Sequence, residues 1–246
     1  FDLKPAERKE PAVKARINAH KGIEFWSGPT RRGADPTEAR AKDILAQHQA
    51  GRLSLAILNT VPAARDLYRA IRDILAGSQE PQPEMVLLHG RFRPRDRQRQ
   101  MDALQQFLDR VNPETGAADG HPGVIVVSTQ VVEAGVDISS VRLWSEVAPW
   151  ASVIQRLGRL NREGLQPDAK AFFWMPGESE EKDNEKGAPN EKRVGPYLRA
   201  ELDTARKLLT EVQTGMGSGK DYRDALDAVL ATTDSKDALK VEYDAV

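Results

Sequence analysis

Two stretches of this 246-residue sequence place reactive side-chain types at spacings that could do chemistry. The first is Ser128-Thr129-Gln130-Val131-Val132-Glu133-Ala134-Gly135-Val136-Asp137. An apolar run ends there in two hydroxyls, and a glycine that admits close backbone approach precedes an Asp. Strand C-termini in open parallel sheets are where ligands bind, although a strand followed by an ordinary turn has the same local pattern. The second is Gln155-Arg156-Leu157-Gly158-Arg159-Leu160-Asn161-Arg162. On a continuous helix Gln155, Arg159 and Arg162 stand at i, i+4 and i+7, on one face. Two guanidinium forks beside an amide can read phosphate and stabilise the negative charge that grows in phosphoryl transfer. Cations at a helix C-terminus are favoured in any case. Here, however, the helix itself carries no carboxylate one turn from these arginines, and Glu163 lies beyond its end.

Such groups need a frame, and the pattern of the chain supplies one. Asp35 as N-cap, Pro36 in the first turn and Glu38 begin a helix whose apolar face carries Ala41, Ile44, Leu45 and His48, closed by Gly51. The runs 53–58, 84–88, 123–129, 141–146 and 169–174 read as strands. Residues 62–75, 94–111 and 149–162 read as helices. The segment 123–129 is β-branched on both faces, as in a strand covered on both sides. Strands and helices alternate, so the fold class is α/β: a doubly wound, mostly parallel sheet with helices on both faces. Residues 1–34 read as a linker from a preceding domain with room for one strand, and 35–176 as the α/β domain. The polar stretch 177–196 reads as a loop or linker, and 197–246 as a helical extension with two apolar stripes.

Composition sets limits. With 39% hydrophobic and 30% charged residues, the chain is long enough for a sizeable core and has no apolar run that would span a bilayer. Zero cysteines exclude disulfides, thiolate metal sites and cysteine catalysis, and fit a reducing interior. The chain opens Phe1-Asp2-Leu3, with neither an initiator Met nor a signal-peptide layout, and is expected to be a fragment of something longer. Residues 1–164 carry 24 Lys and Arg against 20 Asp and Glu; residues 165–246 carry 12 against 17. The basic excess thus falls in the part expected to meet phosphate. Of the four histidines only His89 stands at a strand end and none precedes Asp, so no metal site is expected. Trp144 and Trp174 lie within strands and read as packing, whereas Trp150 is open to either a packing or a stacking role.

The two stretches together resemble motifs V and VI of superfamily-2 helicases, the second of which reads Q-R-x-G-R-x-x-R. Ile57-Leu58-Asn59-Thr60 is similar to motif IV and Leu87-Leu88-His89-Gly90-Arg91-Phe92 to motif IVa, in the right order. The run STQVVEAGVDIS, followed by SEVAPWASVIQRLGRLNREG, more closely resembles the CRISPR-associated helicase–nuclease of type I systems. The Ala148-Pro149-Trp150 approach is most similar to the I-U (I-G) variant. The resemblance implies the second RecA-like domain of an ATP-dependent motor moving on single-stranded DNA. Arg159 and Arg162 would be arginine fingers, Gln155 would orient water or touch the γ-phosphate, and Gly135 and Asp137 would lie against the nucleotide. Thr60, His89, Arg91 and Thr129 would grip the DNA backbone, which positions a strand without reading its sequence. Arg93, Arg95, Arg97 and Arg99 read instead as a solvated helix face.

The chain has no G-x-x-x-x-G-K-[ST] and no D-E-x-[HD] run, so the resemblance assigns ATP phosphates and Mg2+ to an N-terminal RecA-like domain. The fragment alone is expected to be inactive. Further implied partners are an HD nuclease domain and the CRISPR surveillance complex, in a prokaryotic cytoplasm and away from membranes. Two other readings stay open: a superfamily-2 DNA or RNA helicase of unrelated biology, and a non-catalytic RecA-like protein-binding module.

Overall fold

The computed structural model describes residues 10–28, 35–134, 136–177 and 193–240. Six strands, β1 (Gly22–Phe25), β2 (Leu53–Ile57), β3 (Glu84–Leu88), β4 (Val124–Ser128), β5 (Arg142–Glu146) and β6 (Lys170–Trp174), form one sheet in the order β1-β6-β5-β2-β4-β3. Every pairing in it is parallel. Five helices accompany it: α1 (Pro11–Ile17), α2 (Pro36–Gln47), α3 (Val61–Ala76), α4 (Pro94–Leu108) and α5 (Trp150–Leu157).

Every residue of β2 and β4 is buried, because both faces of the sheet are covered and neither strand can spare a polar side. Alternate residues serve opposite cores. Ala56, Leu58, Ile125, Val127 and Trp144 meet Ala41 and Ile44 of α2 and Ala64, Leu67 and Ile71 of α3. Leu55, Ile57, Val124, Val126 and Leu143 meet Leu104 and Phe107 of α4 and Trp150, Val153 and Leu157 of α5. The helix starts follow their capping residues: Asp35 Oδ1 accepts from Thr37 N at 2.8 Å, and Thr60 Oγ1 from Ala63 N at 3.3 Å.

Beyond the sheet come a two-stranded hairpin, β7 (Arg193–Val194) with β8 (Tyr197–Leu198), and three helices, α6 (Arg199–Gly217), α7 (Tyr222–Leu230) and α8 (Thr233–Lys240). Leu202, Ala205, Leu208, Leu209 and Val212 of α6 are buried in the same core as α5. Two apolar stripes predicted two helices, and α8 is additional. Its Ser235 Oγ accepts a 2.7 Å hydrogen bond from Trp150 Nε1, so Trp150 is a core residue.

The structure departs from the sequence expectations at three places. Within residues 1–34, where a linker with room for one strand was expected, helix α1 is additional, and the strand, β1, pairs with β6 as the sheet's edge. Helix α2 stops at Gln47, and His48, expected on its apolar face, turns out as the C-cap. Its ring meets Ser54 Oγ at 2.8 Å and Pro122 O at 3.0 Å instead. Third, α5 ends at Leu157 where a helix to residue 162 was predicted. Asn161 takes a left-handed backbone, φ 44°, and Leu160 bridges to Ser140, neither of which a helix permits. Of the predicted loop 177–196, residues 178–192 lie outside the described residues.

Candidate functional site

Because the six strands run parallel, their C-terminal ends share one edge of the sheet. Asn59 and Thr60 follow β2, His89 and Arg91 follow β3, and Thr129 and Gln130 follow β4. Arg91 is exposed there, whereas Thr129 and His89 are buried and Thr60 is half-buried with its hydroxyl engaged as the α3 cap. The His89 ring stacks on Phe92 with centroids 3.8 Å apart, and its Nδ1 accepts from Arg91 N at 3.2 Å. Burial, with Arg65 and Arg91 adding to it, pushes the imidazole pKa down, which favours the neutral ring at pH 7. The formal positive charge among the four predicted nucleic-acid residues therefore rests on Arg91.

The centre of the edge is tied together by a residue passed over in the sequence, Arg156. Its guanidinium is fully buried and makes four hydrogen bonds. Nε donates to Glu133 Oε1 at 2.8 Å, Nη1 to Ser145 Oγ at 3.0 Å and Glu146 O at 2.8 Å, and Nη2 to Asn59 Oδ1 at 3.0 Å. Ser152 Oγ holds the other Glu133 oxygen at 2.9 Å. Asn59 in turn donates its backbone N to Glu146 Oε2 at 2.6 Å and its Nδ2 to Val147 O at 2.8 Å. Burial raises the Glu146 pKa, against the Asn59 N–H and Arg156, which lower it. The signal for Arg156 was legible: it lies three residues from Val153 and beside Leu157, a charge within the apolar stripe of α5. A charge buried at such a position must be paired.

The other two arginines leave the helix. Gly158 N closes α5 onto Ile154 O at 2.9 Å, and the chain turns through Leu160–Gly164. Asn161 fixes this turn: its Nδ2 donates to His20 O at 2.9 Å and Gln166 O at 2.8 Å, while its Oδ1 accepts from Gln166 N at 3.0 Å. Arg159 Nη2 donates to Glu133 O at 2.7 Å. Arg162 Nε stands 2.8 Å from Asp137 Oδ1, an ion pair off the N–H axis, and Arg162 N donates to Ser139 Oγ at 2.9 Å. Arg159, Arg162 and Asp137 thus come together through a bent turn and the loop after β4, and Asp137 supplies the carboxylate that the helix itself lacks. Gln155 remains on α5, exposed. Burial lowers the Arg159 pKa, Arg162 lowers it further, and Asp137 opposes both. With Glu133 committed to Arg156, among the described residues Asp137 is the carboxylate that acts on both Arg159 and Arg162, and the surplus positive charge suits an anion. Gly135 lies outside the described residues.

The family described as the C-terminal part of the CRISPR-associated nuclease/helicase Cas3 matches residues 50–165, from β2 through the turn after α5. Residues 50–165, just under half of the chain, are thus similar to the C-terminal RecA-like part of Cas3. A "Putative CRISPR-associated nuclease/helicase Cas3" from Methanocaldococcus jannaschii is 33% identical over 122 residues, 50% of this chain and 15% of that protein. The "CRISPR-associated helicase Cas3" of Thermoproteus tenax is 27% identical over 153 residues, 61% of this chain and 23% of that protein. Both relatives are therefore several times longer than the part matched here. In structure, T. fusca Cas3 with ADP superposes at a TM-score of 0.58, with 21% identity, over 92% of this chain and 25% of that one. The likeness confirms a Cas3-type RecA-like fold, and it extends beyond residues 50–165 into most of the chain.

Among the described residues no group of three or more His, Asp or Glu could hold a metal ion.

Proposed function

We propose that this domain is the second motor half of an ATP-dependent single-stranded DNA translocase acting in type I CRISPR interference. Nucleotide would lie between the Arg159–Arg162 turn and an N-terminal RecA-like domain that supplies the phosphate loop and Mg2+. The same protein would bring an HD nuclease domain, and the surveillance complex would load it on DNA. One observation carries the reading: Arg159 and Arg162 are held on a locked turn beside, among the described residues, a single carboxylate, Asp137, so their charge is underused. Such a pair fits an anion brought from outside, and charge growing on a transferred phosphoryl group fits best. Gln155, exposed one turn earlier, would orient water. Gly135 and Asp137 would contact nucleotide as the cleft closes, and Asp137 would hold Arg162 in the open state. Arg91, with Thr60, His89 and Thr129 behind it, would lie along the DNA backbone.

The test is Arg162→Ala in the complete protein, assayed for steady-state ATPase with saturating single-stranded DNA. An interaction made only in the transition state lowers kcat and leaves nucleotide KM nearly unchanged. The expected loss is on the order of 10³ or more in kcat. Arg162→Lys should not restore it, because a point charge lacks the planar fork. DNA binding without nucleotide should survive. An unchanged kcat removes Arg162 from the mechanism.

A further inference from the structure

The turn that carries the two arginines is held from behind by a segment with no place in the helicase motifs. Ala15 O fills the space over Gly164, where an added Cβ would clash with it. Arg16 Nη2 pairs with Glu163 Oε2 at 2.6 Å, and His20 O accepts from Asn161 Nδ2 at 2.9 Å. The fourth contact is Lys21 Nζ, which donates to Leu157 O at 2.7 Å.

Leu157 is the last residue of α5, so its carbonyl is one of those that a helix end leaves without a partner. An ammonium there satisfies the carbonyl and meets the negative end of the helix dipole. The position is a costly one for a cation. Lys21 is only 8% exposed, and among the described residues no carboxylate pairs with it. The groups that face it are the Leu157 carbonyl from α5, Arg162 from the turn, and Arg223 and the Tyr222 ring from α7. The ring centroid is 5.3 Å from Nζ, within cation–π range. Burial first, and then the two arginines, draw the Lys21 pKa down to about 8. An apolar side chain would fill this space without that cost. What it could not do is hold the helix end, or repel Arg162 from the inner side of the turn and so bias its guanidinium outward.

We propose that Lys21 is a positioning residue for the arginine turn: its ammonium, clamped between Leu157 O and the Tyr222 ring, fixes the end of α5 and holds Arg159 and Arg162 in register with the nucleotide cleft. This rests on the proposed function of those arginines. It also gives the C-terminal helices a part in the motor, since α7 supplies the ring that closes over Lys21.

The experiment uses the complete protein and compares Lys21→Met, Lys21→Arg and Arg162→Ala in the same DNA-saturated ATPase assay. Displacing a catalytic group by about 1 Å can cost about 10²-fold. Lys21→Met is therefore expected to lose about 10- to 100-fold in kcat, with ATP KM within about twofold of wild type. Lys21→Arg, which keeps a cationic donor, should retain most of the turnover. Hydrogen exchange should quicken at the amides of residues 158–164 in Lys21→Met, while β2 and β4 stay protected. Should the Met variant not fold, Lys21→Gln, a polar side chain too short to reach Leu157, carries the same expectation. Normal kcat in Lys21→Met beside a lost kcat in Arg162→Ala overturns the positioning role and leaves the arginine assignment standing. Normal kcat in Arg162→Ala removes the reading beneath it.

Discussion

Three arginines within seven residues have three different physical situations. Arg156 is fully buried with Glu133, whose side chain is 11% exposed, as its carboxylate partner. Arg159 is half-buried on a backbone carbonyl, and Arg162 is 37% exposed beside Asp137. Breaking a buried pair by removing one partner leaves an uncompensated charge and typically costs about 3–5 kcal/mol. Arg156→Met is thus expected to destabilise the domain by about 3 kcal/mol or more, because it strands Glu133, Asn59 Oδ1 and Glu146 O together. Adding Glu133→Gln should restore part of that loss. Urea denaturation of the single and double variants measures both effects. An unmoved midpoint in Arg156→Met would mean that this network contributes specificity without stability. Arg162→Ala, by contrast, should leave the urea midpoint nearly unchanged, since its one ion pair faces solvent and exposed pairs contribute little.

At the scale of elements, the decisive feature is where α5 stops. A helix running to residue 162 would place Arg159 and Arg162 on its own face. Stopping at Leu157 lets the chain fold back, so that Leu160 pairs with Ser140 and Arg162 meets Asp137. The return path passes under α1 at Gly164, whose φ of 74° already excludes most side chains. Gly164→Ala adds to that strain a Cβ driven against Ala15 O, a backbone atom that cannot rotate away. Overpacking of this kind costs about 1–3 kcal/mol beyond the strain itself. Gly120 is the control: its φ is 71°, yet nothing lies within 4 Å of an added Cβ, so Gly120→Ala should cost only the left-handed strain, about 1 kcal/mol. Equal shifts in the two urea midpoints would show that α1 is not seated on the turn.

For the whole molecule, the proposed reading makes the sheet, the hairpin and α6–α8 half of a nucleotide cleft, one that would need a second domain to hold the nucleotide. The sequence has no phosphate loop, and the described residues have no metal-ligand group. The isolated chain should therefore show no ATPase above background, with or without single-stranded DNA, by a phosphate-release assay. Robust DNA-stimulated turnover by this chain alone would overturn the half-motor reading. The C-terminal helices belong to the same body as the sheet. Helix α6 packs on α5 and β1, and α8 receives the Trp150 hydrogen bond, so a break at residue 196 would cut through a shared core.

Much of this was legible in the residues alone, because the signals are local. A five-residue apolar run flanked by polar residues has few alternatives to a buried strand, and Asp35-Pro36 or Thr60 followed by Pro62 announce a helix through their own backbone chemistry. The order of four short motifs along residues 57–162 already pointed to the family whose model matches residues 50–165. Tertiary structure decided what those side chains meet. Asp137 and Arg162 are 25 residues apart and Asn59 and Arg156 are 97 apart, distances at which periodicity carries no information. The end of α5 was hidden for the same reason. Asn161 can adopt a left-handed backbone because His20 and Gln166, one of them 141 residues away, accept its amide protons and hold it there.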